Sequence, residues 1–384
     1  MSLKSIFGRH SATSAVLFSF AALALILAGC ASPATPSLPK TRSQFIGFTD
    51  FSNFTARLGP KPGELTLTSP QMTIPVDWDE LVASWNTTTG VYFKVEARAV
   101  YPGFATKYFS LGSWSDNPAK HPRESMKGQD TPDAAVLTDT LVLAHPGAKA
   151  EVRVSIGGGD LKAAARLKFL GLSFCSSTAQ PESSVPDLSA RGKTLEVPER
   201  VQSGYDGPGG WCSPASVSMV LGYWSAKLGR PDLDRSVPDV ATGVNDRVYG
   251  GTGNWSFNTA YAGSLPGMRA YVTRLDDIAE VEDWLKAGVP VVLSVSSYLT
   301  TGRDTGQDNG HLIVCVGFTE QGDVVVNDPG VSARSGERPR RTYPREKVVS
   351  AWKKSKNAVY LIYPESLAIP HSPLNHWDDH RAAR

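Results

Sequence analysis

Cysteine is scarce in this 384-residue chain: there are four, and no two stand at the spacing of zinc ligands. No cofactor and no metal ion is therefore expected. An excess of one charge is missing as well. Lys and Arg number 39 against 37 Asp and Glu, and Lys4 and Arg9 fall within the first 29 residues. Without that segment the balance is even, which gives no reason to expect nucleic acid as a partner. Long apolar runs are lacking too: the stretch from Ala15 to Ala28 falls short of the ~20 residues that a spanning helix needs. There is no internal repeat, and no phosphate-binding loop of the GxxxxGK[ST] form.

What is present begins with an address. Lys4 and Arg9 precede the apolar run, the pattern of an export signal. The run ends in Leu27-Ala28-Gly29-Cys30, which resembles the bacterial lipobox. That resemblance implies removal of residues 1–29 and lipidation of Cys30. Residues 30–44, rich in Pro, Ser and Thr, then read as a tether. The expected location is the extracytoplasmic side of the cell membrane, reached through the lipid. With Cys30 so used, Cys175, Cys212 and Cys315 remain. An odd number of thiols in an exported chain leaves at least one unpaired, and that one needs a reason.

Residues 45–178 read as an all-β, sandwich-like domain. Val91, Phe93, Val95, Ala97, Ala99 and Tyr101 alternate with Lys94, Glu96 and Arg98, the period of a half-buried strand. Similar runs at 107–114, 135–144, 150–156 and 166–175 are separated by turn residues. Trp85 and Trp114 read as core more readily than as the lining of a glycan or protein groove. Residues 179–194 read as a linker and 195–364 as a mixed domain. In the latter, Pro214 to Leu228 is a predicted helix with Val217, Val220, Leu221 and Trp224 on one face. Asp276 to Ala287 is another, closed by Gly288. Strands follow at 289–297, 311–318, 323–328 and 358–363, an α+β order. Residues 365–384 read as a flexible polar tail, whose His371, His376 and His380 are not expected to hold metal.

Chemistry concentrates at Cys212. Gly209-Gly210-Trp211 leads into Cys212-Ser213-Pro214, which puts the thiol at the start of the predicted helix. Backbone N–H groups and the helix dipole there favour the thiolate. A thiolate that attacks carbonyls requires a base. Of the histidines beyond the export signal, His311 alone begins a strand of the second domain, behind Gly310. A third group should hold its ring. The next strand ends in Asn327-Asp328-Pro329, two candidates on opposite faces. A connecting loop with an even number of residues puts Asp328 on the face of His311, and an odd one puts Asn327 there.

Cysteine before Pro-Ala-Ser, then a Gly-His strand, then an Asn-Asp-Pro strand end, in that order, resembles the bacteriocin-processing peptidase family, family thirty-nine. The closer likeness is to its stand-alone relatives on exported proteins. The resemblance covers most of 195–364 and none of the first domain. It implies a papain-like fold, a Cys212–His311–Asp328 triad, and Gln202 as the oxyanion-stabilising glutamine. The chain departs from the family twice. Ser213 stands where glycine is usual, and Gln202 lies ten residues before Cys212, farther than papain-like enzymes place it. The resemblance also suggests that the loop Tyr249 to Trp255 lines the cleft. Lacking a phosphate loop and transporter spans, the chain is not the exporter form. The reading is thus a lipid-anchored, monomeric cysteine peptidase acting on peptide or protein. Its alternative is a catalytically silent papain-like module that binds peptide or cell-wall stems. Residues 334–356 carry nine Lys or Arg against Glu337 and Glu346. They read as a solvated face rather than as a patch for anionic envelope polymers or lipid headgroups.

Overall fold

In the computed structural model the described residues are 40–378, apart from 60, 89, 91, 158–164, 183, 207–209, 303–309 and 332–335. Residues 1–29, read above as an export signal, Cys30, most of the expected tether, Gly209 and His380 lie outside them. Residues from Pro39 onward form one compact unit.

Its first part is built mostly of strands. These are β1 (Ser43–Phe48), β2 (Thr55–Leu58), β3 (Glu64–Thr68), β4 (Met72–Thr87) and β5 (Tyr92–Tyr101). After them come β6 (Phe104–Ala105), β7 (Phe109–Ser115), β8 (Ala134–Leu137), β9 (Thr140–Gly157) and β10 (Leu167–Cys175). All pairings are antiparallel, and the strands join in one hydrogen-bonded sheet rather than two. The joint is made by length. β4 has 16 residues and β9 has 18, and each pairs with different neighbours along its course. The alternation read from Phe93 to Ala99 buries its apolar members completely.

The second part mixes helices with a seven-stranded sheet. It contains β11 (Lys193–Thr194), α1 (Cys212–Leu228), α2 (Val237–Val244), α3 (Trp255–Ser264), β12 (Met268–Arg274) and α4 (Ile278–Lys286). There follow β13 (Val291–Ser296), α5 (Tyr298–Thr301), β14 (Gly310–Phe318), β15 (Val324–Asn327), β16 (Arg340–Tyr343), α6 (Arg345–Lys353) and β17 (Ala358–Pro364). The sheet order is β12-β17-β13-β14-β15-β16, with β11 on the side of β14. Helix α1 lies on this sheet: Trp224 Nε1 donates to the Ile362 carbonyl and Ser216 Oγ to that of Leu312.

One apolar core runs through both parts. Trp85 and Trp114 are buried and pack their rings on Phe257 of α3, so both are core. β12 is an edge strand, and β4 satisfies its backbone with side chains. Asn86 accepts the Ala270 N–H and donates to the Ala270 carbonyl, while Ser84 Oγ accepts the Val272 N–H. Such a cover removes the unpaired edge that would otherwise template aggregation.

Residues 365–378, expected as a polar tail, also pack. Trp377 is 2% exposed and sets its ring against Trp284. His376 is fully buried between Thr41 and Glu280, with Asp276 at 3.4 Å. The sparse apolar content of this stretch is thus gathered at one point. Trp377→Ala should cost about 3–5 kcal/mol, the usual range for truncating a buried Trp, read as a lower midpoint in urea unfolding.

Candidate active site

Gly210 turns the chain at φ 70°, and Trp211 then anchors the helix start in a small apolar nest with Ala215, Val237 and Ala241. α1 therefore begins at Cys212 and runs until Gly229 closes it in the left-handed conformation. The groups that act on the sulfur are the His311 imidazole and the backbone N–H groups of Leu312 and Ser213. Burial pushes the thiol up, yet the imidazole and these N–H groups outweigh it, and the thiol titrates below its ordinary value.

His311 sits on β14, one residue after its start, and is 6% exposed. Its Nε2 lies 2.8 Å from Asp328 Oδ1, which leaves Nδ1 for the thiol. Burial alone would lower the imidazole. Hydrogen bonds to Asp328 and Cys212, and their negative charge, override it and raise the ring to about 10. Asp328 is buried just past the end of β15. Its Oδ1 also accepts the Gly330 N–H, and its Oδ2 accepts the Tyr343 hydroxyl, each at 2.8 Å. Burial raises the carboxyl, but His311 and these donors bring it below the usual range. A Cβ on Gly330 would come within 3.0 Å of the His311 ring, so glycine is what lets the turn close over the imidazole.

Asn327 points elsewhere. Its amide donates to the Val197 and Pro198 carbonyls and accepts from Arg340 Nε. The loop between β14 and β15 has five residues, since Phe318 pairs with Val324. By simple alternation that odd count favours Asn327. A register shift between Cys315 and Gly317 inserts one residue and restores Asp328 to the face of His311.

Gln202 lines the same cleft as Cys212 and His311. Its backbone N–H donates to the Pro329 carbonyl at 2.9 Å, and its Oε1 is buried without a partner. The residues expected to loop out between Gln202 and the helix include 207–209, which lie outside the described residues. The segment Tyr249 to Trp255 forms another wall of this cleft, whose volume is about 750 Å³. It is organised by Asp246, which sequence reasoning missed. The buried carboxylate accepts the N–H groups of Ser125, Val248 and Tyr249 and the Asn254 amide. Asn254 in turn caps α3. Tyr343 and Asp139 were missed as well; the latter, from the turn between β8 and β9, accepts the Trp255 N–H. None of the three falls in a recognisable motif, because each acts across a long stretch of chain or from a turn.

Cys175 and Cys315 are free and fully buried, and burial pushes their thiols up to about 11 and about 12. Such thiols are inert beside Cys212. Part of the basic stretch is paired: Arg338 with Glu199, Arg341 with Glu337, Arg345 with Glu282 and Lys356 with Glu80. Among the described residues no group of His, Cys, Asp and Glu could hold a metal ion, and no helix is long and apolar enough to cross a membrane.

Residues 194–360 match the model of the Peptidase_C39 like family, and residues 64–173 that of the Peptidase C39 N-terminal domain. The first part, unplaced by sequence reading, thus has a family of its own. No curated protein matches the chain. Among solved structures, a crystal structure described as a C39-like peptidase from Bacillus anthracis is 20% identical with a TM-score of 0.30. The match covers 44% of this chain and 94% of that one. By its two matched stretches the chain belongs to the C39-like peptidase family.

Proposed function

We propose that the protein is a cysteine peptidase that hydrolyses peptide or amide bonds through an acyl-enzyme on Cys212, within a papain-like α+β module. The observation that carries this reading is the meeting of Cys212 and His311 in one cleft with the imidazole held by Asp328 at 2.8 Å, beside a lowered thiol and a raised imidazole. A silent binding module has no need of a thiolate–imidazolium pair beside an open cleft, and the pair therefore favours catalysis over that alternative.

In this mechanism the Cys212 thiolate attacks the scissile carbonyl carbon and the carbonyl π electrons move to oxygen. The Cys212 backbone N–H and the Gln202 side-chain amide hold that oxyanion. Its collapse breaks the C–N bond as His311 gives its proton to the leaving nitrogen, leaving a thioester. Water, deprotonated by the now neutral His311, attacks the thioester. The tetrahedral adduct collapses with cleavage of its C–S bond, the carboxylic acid leaves, and the Cys212 thiolate stands again beside the imidazole that took the proton from water. Asp328 holds the ring orientation throughout.

Export and lipidation at Cys30 belong to the same proposal, supported by the basic start, the short apolar run and the Leu27-Ala28-Gly29-Cys30 ending. The enzyme would then act as a monomer at the membrane's extracytoplasmic face on peptide or protein substrates.

The test is the pH dependence of Cys212 alkylation by iodoacetamide, site-resolved by mass spectrometry, in the wild type and in His311→Ala. Alkylation should stay fast well below the ordinary thiol pKa of about 8.5 and slow in the variant. A wild-type rate that follows an ordinary thiol curve, indifferent to His311, leaves only the binding module.

A further inference from the structure

A second cavity, of about 220 Å³, adjoins the cleft. Trp255, Ser294 and Gly310 line both spaces. Val295, which lines the smaller one, pairs with His311 across β13 and β14. One wall comes from the first part of the chain, through Leu137, Thr140 and Val142. Ser296, Ser355 and four charged residues, Glu80, Arg274, Lys354 and Lys356, complete the lining.

Glu80 is already engaged on both oxygens, by Arg274 Nη2 at 2.6 Å and by Lys356 Nζ at 3.0 Å. Positive charge is therefore in surplus. Arg274 is only 2% exposed, and its Nε and Nη1 are themselves buried with no partner among the described residues. Buried polar groups in native interiors are rarely left so. Lys354 is exposed and makes no ion pair among the described residues. Asp139 does not line the cavity; its carboxylate is taken up by the Trp255 N–H and the Thr140 hydroxyl.

We propose that this cavity is a substrate subsite that takes a carboxylate, with Lys354 as its donor, the buried positive charge of Arg274 behind it, and Leu137 and Val142 against the adjoining methylenes. The proposal rests on the peptidase reading of Cys212 and adds a substrate class to it: peptides bearing a carboxylate near the scissile bond. The buried guanidinium strengthens the pull on a carboxylate held by Lys354, because charge in a poorly hydrated surrounding is weakly screened. The carboxylate is that of an acidic side chain or of the peptide's own C-terminus. The first part would then select substrate directly.

The experiment measures peptide binding to the otherwise intact Cys212→Ala protein by fluorescence anisotropy. One arm walks Glu against Gln along a neutral, C-terminally amidated peptide. The other compares a free with an amidated C-terminus on that peptide. One carboxylate should tighten binding about tenfold, the effect of a charge-assisted hydrogen bond, and whichever arm shows it names the source. The preference should weaken with salt and disappear in Lys354→Ala and in Arg274→Gln. Lys354 is exposed, so its variant answers even if the buried Arg274 variant fails to fold. Equal binding of every acid and its neutral partner, no binding by any peptide, or a preference that survives Lys354→Ala overturns the subsite. Alkylation of wild-type Cys212 reports the peptidase reading separately. A fast, His311-dependent thiol without carboxylate preference sinks the subsite alone. An ordinary thiol with that preference sinks the peptidase and leaves a carboxylate-binding cavity.

Discussion

Peptide hydrolysis is expected to vanish in Cys212→Ala and to fall by ~10²–10⁴-fold in kcat in His311→Ala, the usual contribution of a positioned acid and base. The pH profile of kcat/KM in the wild type carries the stronger information. The Cys212 thiol is lowered and the His311 imidazole raised to about 10. The charged pair therefore exists between a thiol titration below the ordinary thiol value and an imidazole titration far above the ordinary histidine value. Activity should rise through the first and fall through the second, giving a broad plateau. Asp328→Asn removes one of the causes that raise His311, so its alkaline limb should move to lower pH. Asn327→Ala should leave that limb in place, because Asn327 bonds to Val197, Pro198 and Arg340 instead. Gln202→Ala should cost ~10²–10³-fold in kcat with little change in KM, as loss of one oxyanion donor does. Steady-state kinetics with a fluorogenic peptide, with circular dichroism to check folding, measures all of these. A His311→Ala enzyme with wild-type kcat would show the thiol to be activated without the imidazole and would remove the mechanism.

How far this site can be read from sequence differs between its members, for physical reasons. The thiol is legible because a glycine turn, an early proline and an apolar face announce the start of a helix. His311 is legible as the remaining histidine on a strand of the second part. The partner of His311 is named by the family resemblance, as Asp328, but not by spacing, since strand alternation and loop length together favour Asn327. What reverses them is a bulge at Val316, between Cys315 and Gly317. The signal for it was present: Gly317 interrupts an apolar strand, and glycine there marks a bulge or a close approach. Both hold, because a Cβ on Gly317 would meet the Lys193 carbonyl of β11 at 2.2 Å. Asp246, Tyr343 and Asp139 carry no such mark. Tyr343 and Asp139 act on partners 15 and 116 residues away, Asp246 gathers Ser125 as well as its own loop, and single-sequence patterns report only local spacing.

The boundary between the two parts is a similar case. Composition suggests a linker at 179–194, but thermodynamics need not follow composition. Urea unfolding of the whole chain should show one transition, with tryptophan fluorescence and far-ultraviolet circular dichroism coincident. A chain begun at residue 179 should neither fold nor hydrolyse peptide. Its loss would strip Phe257 of Trp85 and Trp114, expose the β12 edge that Asn86 and Ser84 satisfy, and leave Arg274 buried without Glu80. A buried cation that loses its only carboxylate is among the costliest defects a protein can carry. Phe257→Ala probes the same seam in the intact protein, and should cost about 3–5 kcal/mol while keeping the transition single. The cleft depends on that seam directly, since Asp139 holds the Trp255 N–H at the start of α3, and Trp255 is a wall of the cleft. Fast Cys212 alkylation in the shortened chain would show instead that the second part folds alone and that the strands serve only to select substrate.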